Sequence, residues 1–388
     1  MKPLLPALIL SLCGLVAMPL QAQQSQSITH TITSEVFDSE RTVHVYLPER
    51  YFRDSTQNFI AVYVLDAQSN ELWEMAKSNI GYLVLQYQVI PMIAVGIVSE
   101  NRGSEFSPKS TDLIEHLNKE VFPIIDNNYR LNDFKAVVGH SWGGAFVGNA
   151  LFSEHKHMFD AYIGISPSLD AHDYIIIEQA AEMLGSNTPI GKYFYCATGD
   201  VGIREYENNI AVAKMDSLAK NHDDPTLAWK WEQLKHKDHW SCVIPALNNG
   251  LVDMSRNYFP DQHTMETFAK NEGESLRVQI NAFYEEKTKR FGFTHKPSYK
   301  YLAFVANDFR RLEMYEAAQE LYLMSFEYGN DKATDYFELA QSYEATSNDN
   351  LAKKAYADAL DKLEAQKANY SERFYKNLSS AIKEKLQP

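Results

Sequence analysis

The sequence predicts an α/β protein, built as a doubly wound, mostly parallel sheet followed by a small all-α module. Three observations carry this. Nearly unbroken apolar runs recur between residues 59 and 235, with amphipathic helical stretches between them. Such runs are strands covered on both faces, which is the condition of a parallel sheet. Beyond about residue 262 the strand patterning stops, and small and aromatic residues recur at a 34-residue spacing. A chain of 388 residues with 45% hydrophobic and 23% charged residues has room for one large domain and a smaller one. That composition excludes the collagenous, low-complexity and disordered classes.

The chain opens on MKPLLPALILSLCGLVAMPLQAQQ. Lys2, the apolar stretch Leu4 to Met18 and the Leu20-Gln21-Ala22 triplet have the layout of a cleavable signal peptide over residues 1–22. Pro6 and Pro19 argue against a membrane anchor, which needs about 20 apolar residues. A periplasmic or secreted protein is the expectation, with no membrane span in the mature chain. Residues 28–50 alternate apolar and polar positions in two runs about a turn at Asp38–Glu40, as an antiparallel pair does. FIAVYVLDAQ (59–68), PMIAVGIV (91–98) and FKAVVGHS (134–141) are buried strands, and LIEHLNKEVFPIIDNNY (113–129) is a helix by its spacing of Leu113, Ile114, Leu117, Val121 and Ile124. FDAYIGISPS (159–168), KYFYCATGD (192–200) and LAWKWEQLK (227–235) add three strands, with a helix over 207–222. The right-handed crossover rule closes these units into a doubly wound sheet. The catalytic-type domain spans 28–260, linking helices 261–295, and the helical module 296–388. In that module Ala306, Phe309, Ala318 and Tyr322 recur as Ala340, Tyr343, Ala352 and Tyr356, which is the tetratricopeptide period.

The formal net charge is −14, which argues against nucleic acid or anionic membrane as partners. After the leader two cysteines remain, Cys196 and Cys242. An oxidising compartment permits a disulfide between them, and two unpaired buried thiols fit equally well.

The chemistry centres on GHSWGG, residues 139–144. A GxSxG triplet alone says little. Here a buried strand leads into Gly139 and a helical stretch starts after Gly143, and strand, sharp turn, helix is the setting that lifts a serine hydroxyl above a sheet edge. Ser141 is the candidate nucleophile, and the Trp142 N–H at the helix start is one oxyanion donor. A serine needs a base oriented by an acid. His239, in the loop after the strand at 227–235, is the candidate base, with His236 a weaker one. The acid is Asp200 at the end of the preceding strand, with Glu205 and Glu207 near enough to serve instead. The backbone N–H of Gln68, after the strand ending at Asp66, is the second oxyanion donor, and Asp66 orders that loop. Arg102 either contacts a substrate carboxylate or sugar or pairs with Glu100 or Glu105. His155/His157 and His236/His239 lack the further ligands of a zinc site, so no metal and no cofactor are expected.

HVYLPERY, YVLDAQ, VGIVSENRGSEFSP, EVFPIIDNNYR, VVGHSWGGAFVGNALF, FDAYIGISPSLD and KDHWSCVIPALNNGL, in that order, resemble the enterochelin-esterase and esterase-D branch of the α/β-hydrolases over about residues 30–258. The resemblance implies an α/β-hydrolase sheet, Ser141 as nucleophile, His239 as base, and Trp142 and Gln68 as oxyanion amides. Relatives with tetratricopeptide tails show Gly-Asn-Glu-Gly where this chain has Gly199-Asp200-Val201-Gly202, so Asp200 stands beside the missing glutamate. The expected activity is a serine esterase acting through an acyl-enzyme on a small-molecule or glycan ester. An acyltransferase on the same triad and a non-catalytic binding protein are the alternatives. The repeats are expected to serve a protein partner or self-association.

Overall fold

A computed structural model describes residues 24–387 except 54, 56, 187, 223, 272 and 292–296. The predicted signal peptide, residues 1–22, and the end of the predicted linking region, 292–295, lie outside the described residues.

Eight strands form one sheet: β1 (Gln26–Ser34), β2 (Ser39–Leu47), β3 (Phe59–Leu65), β4 (Met92–Ile97), β5 (Leu131–His140), β6 (Ala161–Ile165), β7 (Tyr193–Gly199) and β8 (Ala228–Leu234). Their order is β1-β2-β4-β3-β5-β6-β7-β8. The two alternating runs at the start, β1 and β2, are antiparallel to each other, and β2 is antiparallel to β4. Every later pairing is parallel. The apolar strands are the ones closed in on both faces: β3, β4, β6 and β7 are buried at every position. At the far edge β8 is only half-buried along its length, which matches its mixed sequence AWKWEQL.

Helices cover both faces. Those that matter below are α1 (Asn70–Leu85), α2 (Trp142–Leu151), α3 (Ala171–Gly185), α4 (Ile203–His222) and α5 (Val243–Arg256). The helix predicted over 113–129 is real but interrupted: Asp112–His116 and Phe122–Asn128 flank a π turn at Leu117–Val121. Three residues inside α3, His172, Asp173 and Tyr174, have positive φ, so that helix starts on a left-handed turn beside the strand ends.

The rest is helical. After α6 (Gln262–Ala269) and α7 (Leu276–Phe291) come α8 (Tyr299–Arg311), α9 (Tyr315–Glu327), α10 (Ala333–Ala345), α11 (Asp349–Ala365) and α12 (Glu372–Leu386). The 34-residue spacing puts Ala306 and Ala340, Ala318 and Ala352, and Tyr322 and Tyr356 at equivalent buried places in successive helix pairs. Alanine at the crossings lets the helices approach closely, and the tyrosines fill the space between layers. The module packs on the sheet domain through α8. The Tyr87 ring stacks on Phe304 at 5.0 Å, Phe259 meets Tyr301 edge-on at 5.1 Å, and the Tyr301 hydroxyl donates to Pro260 O at 2.6 Å.

Candidate active site

The turn after β5 is built by close approach. A Cβ on Gly139 would stand 2.2 Å from Gly143 O, and one on Gly144 would stand 2.7 Å from the Pro167 Cα. No side chain fits there, so the strand and helix can meet within two residues. Between them Ser141 adopts φ 59°, a left-handed conformation that costs an L-residue of order 1–3 kcal/mol. Its N–H donates to Ile165 O at 2.9 Å and its carbonyl accepts from Ser168 N at 3.1 Å, so β6 and the following loop hold the strained turn in place. The serine side chain makes no cap bond to its own helix.

Ser141 shares a cleft of about 320 Å³ with Trp142, Ser168, Asp170, Arg204, Asn208 and His239. His239 lies after β8 and is 4% exposed. Its Nδ1 stands 2.9 Å from Glu205 Oε1, and its Nε2 is buried with no hydrogen-bond partner among the described residues. One ring nitrogen is therefore engaged by a carboxylate while the other is left for a proton.

The carboxylate on His239 is Glu205, not Asp200. Gly199 and Lys237 decide this. The Asp200 and Val201 N–H groups both donate to Lys237 O, at 2.9 and 3.1 Å, and a Cβ on Gly199 would stand 2.1 Å from that same oxygen. The turn after β7 is thus pressed flat on the loop after β8. Asp200 is exposed there and accepts from His236 N at 2.6 Å, away from the His239 ring. The chain comes back one turn later, where Glu205, 1% exposed, sits in the first turn of α4. His236 has positive φ and faces outward.

Glu205 is held by a network that sequence reasoning missed. Ser166, fully buried, donates to Glu205 Oε1 and lies 3.0 Å from His239 Nδ1. Gly199 N donates to Glu205 Oε2 at 2.5 Å. Asn208 Nδ2 donates to Ser166 Oγ at 2.8 Å and to its carbonyl at 3.2 Å. Burial pushes the Glu205 carboxyl up, but the hydrogen bonds from His239, Ser166 and Gly199 together outweigh it and hold the group below the usual range. It stays ionised at neutral pH. Asn208 was legible in principle, since it is three residues after Glu205 and so shares its helix face. Ser166 carries no such signal.

His140 is a further residue that sequence reasoning missed. Its Nε2 bonds His239 O at 2.9 Å, and the two rings lie 4.6 Å apart. Burial, then the neighbouring His239, lowers its pKa to about 4, so it is neutral when His239 works.

On the other side of Ser141, Ala67 N bonds Ile97 O at 3.0 Å and Ser69 N bonds Asp66 O at 3.0 Å, which pins the chain on both sides of Gln68. The Gln68 side chain bridges Ser99 N at 2.9 Å and Asp66 Oδ1 at 2.7 Å. Arg102 clamps Asp66 from Nε and from Nη2, the latter at 2.9 Å. The partners expected for Arg102, Glu100 or Glu105, both pair with Arg41 instead, at 3.5 and 2.8 Å. Among the described residues the Trp142 and Gln68 N–H groups have no hydrogen-bond acceptor. Cys196 and Cys242 are both free and buried, and burial pushes the Cys242 thiol up to about 12. Among the described residues no three His, Cys, Asp or Glu side chains gather as a metal site requires, and no helix is long and apolar enough to cross a membrane.

Comparison with known proteins agrees with this geometry. No curated protein aligns significantly with the chain. An IroE-like serine hydrolase from Shewanella oneidensis superposes with a TM-score of 0.63 at 20% identity, over 78% of this chain and 100% of its own. An uncharacterised protein from Capnocytophaga ochracea does so with a TM-score of 0.61 at 20% identity, over 86% and 94%. A siderophore hydrolase, EstB, from Aspergillus nidulans gives 0.51 at 17% identity, over 66% and 99%. These likenesses establish the α/β-hydrolase fold. Residues 34–239, just over half of the chain, match the family described as "Putative esterase", and the chain belongs to that esterase family and is an ester-hydrolysing enzyme.

Proposed function

We propose that the protein is an exported serine esterase that works through an acyl-enzyme, with Ser141 as nucleophile, His239 as base and Glu205 as the orienting acid. The observation that carries this is the buried Glu205–His239 bond at 2.9 Å, facing a cleft that also holds Ser141 on its strained turn. In this reading Ser141 Oγ attacks the ester carbonyl while His239 Nε2 takes its proton. The oxyanion is met by the Trp142 and Gln68 N–H groups, and the positive end of α2 favours the same charge. The leaving alcohol takes the proton back from His239, and water then repeats the sequence to free the acid. Glu205 keeps the ring in the tautomer with Nδ1–H and stabilises the imidazolium in each half-reaction. Asp200, carried elsewhere by its turn, has no part. In this reading Glu205 supplies the carboxylate from the next turn of chain, in place of the glutamate missing at Val201.

The substrate is a small-molecule or glycan carboxylic ester. A siderophore hydrolase among the structural neighbours makes siderophore lactones one arm of the screen, beside acylated glycans and simple acyl esters. Export rests on the leader at residues 1–22, and N-terminal sequencing of the mature protein is expected to begin at Gln23. The helical module is tetratricopeptide-like, for a protein partner or self-association.

The test is hydrolysis of p-nitrophenyl acetate and of such a panel by wild type and Ser141→Ala. A loss of at least about a thousandfold in kcat/KM is expected. Wild-type rates no faster than the variant overturn the proposal. Product analysis with and without an alcohol acceptor separates hydrolysis from acyl transfer.

A further inference from the structure

The catalytic cleft is not the larger recess on this surface. A second one, of about 600 Å³, opens between α2, α3 and the loop before Asp112. The same two helices serve both. Trp142 and Ala171, at their starts, line the catalytic cleft, whereas Asn149 and Gln179, further along, line the second. Asn149 is eight residues past Ser141, about 12 Å along the helix axis. No residue is shared between the two linings.

What marks this recess is unmet hydrogen bonding. Asn149 is 5% exposed, yet among the described residues its amide oxygen has no partner, and neither has the buried amide oxygen of Gln179. Leaving a buried acceptor unpaired costs about 1–3 kcal/mol, so two on one wall call for donors from outside. Hydroxyls of Thr111, Ser153 and Thr188 lie on the same lining and can both donate and accept. Met183, partly exposed, supplies apolar surface among them, above the buried Ile114 and Phe152. Charge is sparse and mixed, with Lys156 and His155 set against Glu154 and Glu182; His155 Nε2 lies 3.7 Å from Glu154 Oε1, and the Lys156 ammonium already bonds Pro189 O at 3.3 Å. Phosphate or carboxylate ligands would need a cation cluster that this lining does not have.

We propose that this recess is a second binding site, for a neutral polyhydroxylated ligand, a short saccharide. Its hydroxyls donate to Asn149 Oδ1 and Gln179 Oε1, the threonine and serine hydroxyls meet its remaining oxygens, and the C–H face of a sugar ring lies on the partly exposed Met183. The site is independent of the ester chemistry and stands whether or not Ser141 is the nucleophile.

Isothermal titration calorimetry on the full mature chain carrying Ser141→Ala tests this without turnover. The probes are xylotriose, maltotriose and triacetylchitotriose, with glycerol and trialanine as comparisons. At least one trisaccharide is expected to bind with a Kd of about 1 mM or tighter. Gln179→Ala and Asn149→Ala are each expected to weaken it about fivefold or more. Gln179 is only half-buried, so its variant folds even if the Asn149 one does not, and thermal unfolding checks both. Three outcomes overturn the proposal: no trisaccharide binds more tightly than glycerol, binding is unchanged in every folded cleft variant, or trialanine binds and the sugars do not.

Discussion

Glu205 sits in the first turn of α4, where the helix's positive end adds to the hydrogen bonds that keep it ionised. Its neighbour in sequence, Asp200, meets only the His236 N–H. Glu205→Gln is therefore expected to lower kcat/KM about a thousandfold, because the amide can hold His239 in the wrong tautomer and cannot stabilise the imidazolium. Asp200→Asn is expected to stay within about threefold of wild type. Steady-state kinetics on the two variants decide between the carboxylates. His140 makes a second prediction, on stability. Its pKa falls from 6.5 to about 4 on folding. Below pH 6.5 the unfolded chain takes up a proton that the folded one refuses until about pH 4, so stability is lost as pH falls through that window. From this group the loss is about 3 kcal/mol. Denaturant melts at pH 7 and pH 4 are expected to show it, and His140→Gln to remove this part, leaving the contributions of His116 and His44, whose pKa values burial also lowers, and of carboxylates such as Glu205 held below their usual range.

At the scale of elements, the turn between β5 and α2 was readable from GHSWGG because its geometry needs glycine where backbones nearly touch. Gly139→Ala is expected to cost at least about 3 kcal/mol or to prevent folding, since its Cβ would stand 2.2 Å from a carbonyl oxygen that cannot move without dragging α2. Ser141→Ala, at a position that already holds a Cβ, is expected to stay within about 1 kcal/mol of wild type in the same urea melt. The strands were readable for a similar reason: β3, β4, β6 and β7 are apolar throughout because both faces are covered. Two things were not readable. The π turn at Leu117–Val121 keeps the same apolar face as an uninterrupted helix, so periodicity does not reveal it. The left-handed start of α3, at His172, Asp173 and Tyr174, has no glycine to announce it and is held by contacts such as His172 Nε2 to Ser107 Oγ at 3.0 Å.

For the whole molecule, the helical module and the catalytic cleft lie at opposite ends of the sheet. Tyr301 packs near Val89, Ile90 and Pro91, just before β4 begins, whereas the catalytic loops follow the strands' C-terminal ends. Tyr301→Ala removes a buried ring and the bond to Pro260 O, and is expected to cost about 3–5 kcal/mol in a thermal or chemical melt. Because the interface is remote from Ser141, kcat/KM of the folded variant is expected to change less than about threefold.

By itself the sequence determined the sheet, the sharp turn at Ser141, the place of His239 after the last strand and the paired helices of the tail, because each leaves a local trace in apolar period, glycine spacing or chain order. The carboxylate on His239, the Ser166–Asn208 support behind it, and the partner of Arg102 were decided only in three dimensions. The first two depend on how the loops after β6, β7 and β8 stack on one another, and the third on the loops after β3 and β4; side chains that meet across such loops are chosen by packing between segments far apart in the chain.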